Sequence, residues 1–145
     1  MSPEKIKTPC IGLCSTVYGD RVCRGCKRFD HEVIEWNGYG EDQKRSVLQR
    51  FECLLNQVML DKCEIFDPDL LALRVQSGRI NCSPLNSIQY CAYQVIRRGA
   101  GVIRNIEEFG IRILPAYSQL RLVELRDVID REFFSLSEQR YGTGG

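Results

Sequence analysis

Cys10-Ile11-Gly12-Leu13-Cys14 and Val22-Cys23-Arg24-Gly25-Cys26 are two short cysteine hooks with eight residues between Cys14 and Cys23. A pair of cysteines two to four positions apart can put both sulfurs on one side of a tight turn. Two such turns complete a tetrahedral shell of four thiolates around one ion. Gly25, inside the second hook, is the residue expected to take φ > 0, and Gly12 gives the first hook similar freedom. The alternatives for Cys10, Cys14, Cys23 and Cys26 are two disulfides or four ordinary reduced thiols. A secretory signal would favour disulfides, but Met1-Ser2-Pro3-Glu4-Lys5 leads into no apolar stretch. The expected compartment is therefore the reducing cytoplasm, and the expected occupant of the hooks is a metal. Zinc suits a closed four-thiolate site, an iron-sulfur cluster uses the same ligands, and the spacing leans to zinc.

Arg21, Arg24, Lys27 and Arg28 crowd the second hook, between Tyr18 and Phe29. Four thiolates on a divalent ion carry net negative charge, so these cations have a structural use whatever the function. Read instead as a contact surface, Tyr18, Arg21, Arg24, Lys27, Arg28 and Phe29 could stack single-stranded bases and hold phosphates, or meet an acidic protein. The formal net charge is only +1, and Asp20, Asp30, Glu32 and Glu35 lie close by. Bulk attraction to nucleic acid is thus excluded, and a protein partner is favoured over RNA.

Pro9-Cys10, Cys14, Cys23-Arg24-Gly25-Cys26 with Arg28, and then Glu32, Ile34 and Trp36, resemble the small bacterial proteins grouped as domain of unknown function 1289. The resemblance spans residues 8 to 52. It departs at Lys27, where such proteins often carry Gly, and at Asn37-Gly38-Tyr39, where a Ser-rich turn is more usual. Members are described as predicted iron-sulfur proteins. The resemblance implies a cytoplasmic four-cysteine module without established catalytic chemistry, and an iron-sulfur cluster to be weighed against zinc.

Along the chain, Asp30 opens a short helix through Val33, Ile34 and Trp36 that ends at Asn37-Gly38, and Trp36 is expected against the metal loop. Glu41-Asp42 start a long helix to about Leu60, striped by Val47, Leu48, Phe51, Leu54, Leu55, Val58 and Met59. Residues 61–69 read as a linker between a metal-binding lobe (1–60) and a helical region (70–145). All five lysines lie at or before Lys62, whereas residues 67–145 carry ten arginines and nine acids; codon bias or chance can produce this, and the functional alternative is an interface, where arginine's planar fork of donors is favoured. A helix from Pro68 to Ser77 is followed by one opened by Ser83-Pro84, with Leu85, Ile88, Ala92, Val95 and Ile96 on one face and Gly99 past its end. Val102, Ile103, Ile106 and Phe109 continue at helical spacing, and Ile111–Leu114 alternates as a strand would but, with no obvious partner, reads as a buried connector. A last helix spans about Ala116 to Phe134, with Leu122, Leu125, Ile129 and Phe133 on one stripe and Leu120, Val123 and Val128 on another. Arg140–Gly145 reads as a frayed end.

The chain is thus expected to be mainly α: a small irregular four-cysteine lobe followed by a bundle of about five helices. No stretch has the apolar length of a membrane span. Cys53, Cys63, Cys82 and Cys91 sit at no hook spacing and read as isolated buried hydrophobes. His31 is the only histidine and reads as a solvent-exposed first-turn residue, and Gly99-Ala100-Gly101 lacks the lysine and strand of a phosphate loop. These features favour a non-catalytic, metal-bearing adaptor or regulatory module that binds a protein partner, with RNA second. An iron-sulfur electron-transfer or redox-sensing protein is the other class.

Overall fold

Glu41 and Asp42 place acidic charge in the first turn of the longest early helix, where it complements the exposed N–H groups, and the Gln43 carbonyl oxygen accepts from Gly40 N–H at 2.9 Å. Its apolar side chains then recur at intervals of three and four. In the computed structural model that helix is Glu41–Leu60, and Val47, Phe51, Leu54, Leu55, Val58 and Met59 are buried along it as the periodicity requires. The described residues are Thr16, 19–24, 26–78, Ile80, Cys82 and 87–142.

The elements run in chain order as α1 (Asp30–Glu35), a 3-10 turn (Trp36–Gly38), α2 (Glu41–Leu60), β1 (Cys63–Ile65), α3 (Pro68–Ser77), α4 (Ile88–Gly99), a 3-10 turn (Ile106–Phe109), β2 (Ile111–Ile113), a 3-10 turn (Pro115–Tyr117) and α5 (Leu122–Gly142). The fold is mainly α, with five helices and one two-stranded sheet among the described residues. No described helix is long and apolar enough to cross a membrane.

The chain divides into two compact units, Met1–Phe51 with Phe133–Gly145, and Glu52–Glu132. This differs from a metal lobe, a linker at 61–69 and a helical region. The expected linker is structured: Lys62 is buried, and its ammonium donates to Val58 O (2.9 Å), Asp61 Oδ1 (3.0 Å) and Glu132 Oε1 (3.0 Å). A charge so satisfied can lie inside a fold. The next residues form β1, antiparallel to β2 with Cys63 opposite Ile113, Glu64 opposite Arg112 and Ile65 opposite Ile111. Ile111–Ile113 is therefore a strand and not a connector, because its partner lies in the stretch read as a linker. Gly110 makes the pairing possible: it sits at φ 75°, and a Cβ there would fall 2.3 Å from Asp67 O. Its own carbonyl accepts from Phe66 N–H at 3.0 Å.

Asp67 caps α3, accepting from Leu70 N–H at 3.1 Å, with Pro68 at the first helical position. Ser87 caps the start of α4: its hydroxyl accepts from Tyr90 N–H (3.2 Å) and its own N–H is held by Glu52 Oε1 (3.1 Å). Residues 83–86 lie outside the described residues. Cys82 and Cys91 are not isolated; they form a disulfide with Cα atoms 5.7 Å apart. The helix expected over 102–109 shortens to the turn at 106–109, capped by Asn105, whose side chain accepts from Glu107 N–H. The last helix begins at Leu122 and not near Ala116, since Pro115–Tyr117 forms its own 3-10 turn. Leu125, Ile129, Phe133 and Ser137 are buried at steps of four along it, while Val123 and Val128 are half-buried.

Candidate metal centre

The second hook is built on a narrow hairpin. Val22 and Phe29 form an antiparallel bridge, and Asp30 N–H donates to Arg21 O at 2.8 Å. Inside it, Cys23 N–H donates to Arg28 O (2.9 Å) and Lys27 N–H to Cys23 O (2.8 Å), so the chain turns within the five residues from Cys23 to Lys27. Both sulfur-bearing residues of the hook, Cys23 and Cys26, are buried, and neither is in a disulfide. The turn closes through a left-handed residue, and that residue is Lys27 at φ 67°. Gly25 and Gly12, the positions expected to supply this freedom, lie outside the described residues. A side chain in this region costs about 1 kcal/mol or somewhat more. Lys27 offsets it with contacts of its own: the ammonium donates to Arg24 O at 2.5 Å and lies 5.5 Å from the Phe133 ring centre.

Arg28 sets the electrostatics. Its side chain is buried, its Nε donates to Cys26 Sγ at 3.3 Å, and its guanidinium lies 5.1 Å over the Trp36 ring. Among the described residues no carboxylate pairs with it. Burial pushes the Cys26 thiol up from its ordinary value, and the hydrogen bond and charge of Arg28 work in the opposite direction. A guanidinium buried without an anion costs several kcal/mol. The hook therefore places a cation where negative charge on sulfur would be stabilised.

The helix after the hook is tied to it by a second charged group. Glu32 is buried in α1; its Oε1 accepts from Phe29 N–H at 2.8 Å, and its carboxylate takes both Arg50 Nη1 (2.6 Å) and Nη2 (2.7 Å). The Arg50 guanidinium stacks 3.9 Å from the Phe29 ring centre. Its Nε is the one buried side-chain polar atom, among the described residues, without a hydrogen-bond partner. Glu32 and Arg50 also border a shallow groove of about 540 Å³, together with Tyr39, Gln43 and Arg140.

The last turns of α5 cover the hairpin. Phe29 meets Tyr141 edge to face at 5.1 Å, the Tyr141 hydroxyl donates to Asp30 Oδ1 at 3.3 Å, and Arg24 lies 5.2 Å over Phe134. Tyr141 is half-buried, so the chain up to residue 142 is helix where a frayed end was expected. These contacts correct the expected partner surface. Arg21 and Arg24 are exposed, but Lys27, Arg28 and Phe29 are buried, because the chain's own Phe133 and Tyr141, with Trp36, Glu32 and Arg50, occupy the faces a partner would need. Tyr18 lies outside the described residues, as do Cys10 and Cys14. Trp36 is buried beside the hook, as expected, and His31 is exposed with Nδ1 3.6 Å from Asp30 Oδ1.

Among the described residues no three His, Cys, Asp or Glu side chains are grouped as metal ligands, and Cys23 with Cys26 supply half of the expected set. The donor chemistry of that half fits a thiophilic ion: two buried sulfurs on one turn and a cation facing one of them. Residues 8–54 match the family model described as "Protein of unknown function (DUF1289)". The DUF1289 segment is about a third of the chain; it takes in both hooks, α1, Trp36 and Arg50, and stops within α2. Phe133, Phe134 and Tyr141 lie outside it. No curated protein and no solved structure matches the chain.

Sequence reasoning missed Glu32, Arg50 and Tyr141 as parts of the site. Glu32 carried a signal: it stands three residues after Phe29, the spacing at which a carboxylate reaches back to a helix's first N–H. Arg50 and Tyr141 carried none, since 18 and 111 residues separate them from their partners.

Proposed function

We propose that the chain is a non-catalytic metal-binding module in which Cys10, Cys14, Cys23 and Cys26 hold one zinc ion, and that it serves as an adaptor or regulator of a protein partner. The observation that carries this reading is Arg28: a buried guanidinium whose side-chain hydrogen bond goes to sulfur calls for thiolate there, and a bound divalent ion keeps buried cysteines in that form. Cys23 and Cys26 would supply two of the four ligands, and zinc would supply the folding energy that a small lobe lacks. Burial of Lys27, Arg28 and Phe29 removes half of the basic and aromatic face that stacking on RNA would use, which favours protein. The free Cys23 and Cys26 fit the cytoplasm, where thiols stay reduced, whereas the Cys82–Cys91 bond is of a kind rare in that compartment.

Metal analysis of the full chain purified anaerobically tests the reading. One zinc per chain is expected, lost in Cys23→Ser and in Cys26→Ser. A coloured protein containing iron and acid-labile sulfide would overturn zinc in favour of the electron-transfer or redox-sensing reading. Full metal content in either variant would overturn the ligand set.

A further inference from the structure

Trp36 is buried beneath two cations. Arg28 lies 5.1 Å from its ring centre and Lys44, in the first turn of α2, lies 5.6 Å from it. Of the two, Lys44 has a carboxylate near it, Glu41 Oε1 at 3.8 Å, whereas Arg28 hydrogen-bonds to Cys26 Sγ at 3.3 Å. One indole face can hold a desolvated cation at a gain of about 2 kcal/mol, but two like charges on one ring repel unless an anion stands behind one of them.

We infer that Arg28 links occupancy of the cysteine site to the packing of α1 and α2, with Trp36 as the element that responds. The inference rests on the four-cysteine reading and adds the residue that transmits its state. With the ion bound, the charge on the thiolates balances Arg28, and Arg28 stays over the indole. When the ion leaves, nothing else among the described residues offers Arg28 an anion. The guanidinium then moves toward water, and the ring it covered is left to Lys44 and the start of α2. Loss of metal is thereby felt in the turn at Trp36–Gly38, which joins the helix after the hook to α2. Arg28 is a positioning residue, since it acts on the ion through a ligand.

The chain holds a single tryptophan, so its emission reports this site alone. The test loads the full chain with zinc, strips it with EDTA, and follows release rate and Trp36 emission together in wild type, Arg28→Met and Arg28→Lys. The expected result is a red shift on stripping wild type. Arg28→Met should bind one zinc at excess but release it at least about ten-fold faster, the size of effect seen when a ligand's hydrogen-bond partner is removed. Its emission should change little on stripping. Arg28→Lys, which keeps the charge without the planar fork, should fall between, and it carries the test if Arg28→Met does not fold. Wild-type release rates and a wild-type emission change in both variants would overturn the inference while leaving the metal reading standing. An emission that does not change when wild type loses zinc would do the same. A wild-type chain that binds no zinc through Cys23 and Cys26 would overturn the metal reading, and this inference with it.

Discussion

Replacing Glu32 with alanine removes the carboxylate that holds Arg50 and caps α1. The pair is close and nearly dry: Nη1 to Oε2 is 2.6 Å, with the Arg50 and Glu32 side chains 13% and 9% exposed. Arg50 has no other carboxylate within ion-pair distance among the described residues, and its Nε is already without an acceptor. Breaking such a pair from one side leaves a buried charge unpaired, at a cost of about 3–5 kcal/mol. Losing the carboxylate that accepts Phe29 N–H adds about 1 kcal/mol. Urea unfolding of metal-loaded protein, followed by Trp36 fluorescence, should therefore show Glu32→Ala less stable by about 4–6 kcal/mol, a large fraction of a typical domain's stability. Glu32→Leu combined with Arg50→Met should recover most of this, because an apolar pair of similar volume avoids the desolvation cost. A loss below about 1 kcal/mol in Glu32→Ala would mean that the pair behaves like an exposed one, and the reasoning would fail.

The backbone at Lys27 makes an opposite pair of predictions. Lys27→Ala keeps the strained φ and loses the ammonium's contacts, so it should destabilise by about 1–2 kcal/mol. Lys27→Gly also removes the strain of about 1 kcal/mol and should be close to neutral; equal losses in both variants would show that φ is not the issue. Reducing the Cys82–Cys91 bond opens a loop with a sequence separation of 9, and the chain-entropy relation gives a loss of about 2.5 kcal/mol, measurable as the shift of the thermal or urea midpoint with and without reductant. Burial pushes the Cys63 thiol up to about 12, whereas Cys53 is exposed. Cys63 therefore stays protonated at pH 8, so iodoacetamide on the folded protein should label the exposed Cys53 well before Cys63, read by peptide mass; equal labelling would contradict the burial.

The helices were legible where one face is buried and the period is regular. In α2 the apolar positions alone locate the buried side chains, and in α5 Leu125, Ile129 and Phe133 do the same. The sheet was not legible, because β1 and β2 are three residues each and 46 residues separate Ile65 from Ile111. Nothing local announces such a pairing. The turn of the second hook was legible from spacing, but the left-handed Lys27 one place after Cys26 was not, since nothing in the sequence marks a lysine for that conformation. Of the four cations around the hook, Arg21 and Arg24 are at the surface, as charge in a sequence suggests, yet Arg28 and Lys27 are buried because sulfur, carbonyl oxygen and aromatic rings receive them. The cover over Phe29 comes from Tyr141, and only the tertiary fold brings residues so far apart together.

X-ray absorption at the zinc edge, on the full chain as purified, tests the central claim most directly. Four sulfur scatterers at about 2.3 Å around one zinc are predicted, with no light-atom ligand in the first shell. A shell containing nitrogen or oxygen, or fewer than four sulfurs, would contradict the assignment of Cys10, Cys14, Cys23 and Cys26 as a closed site.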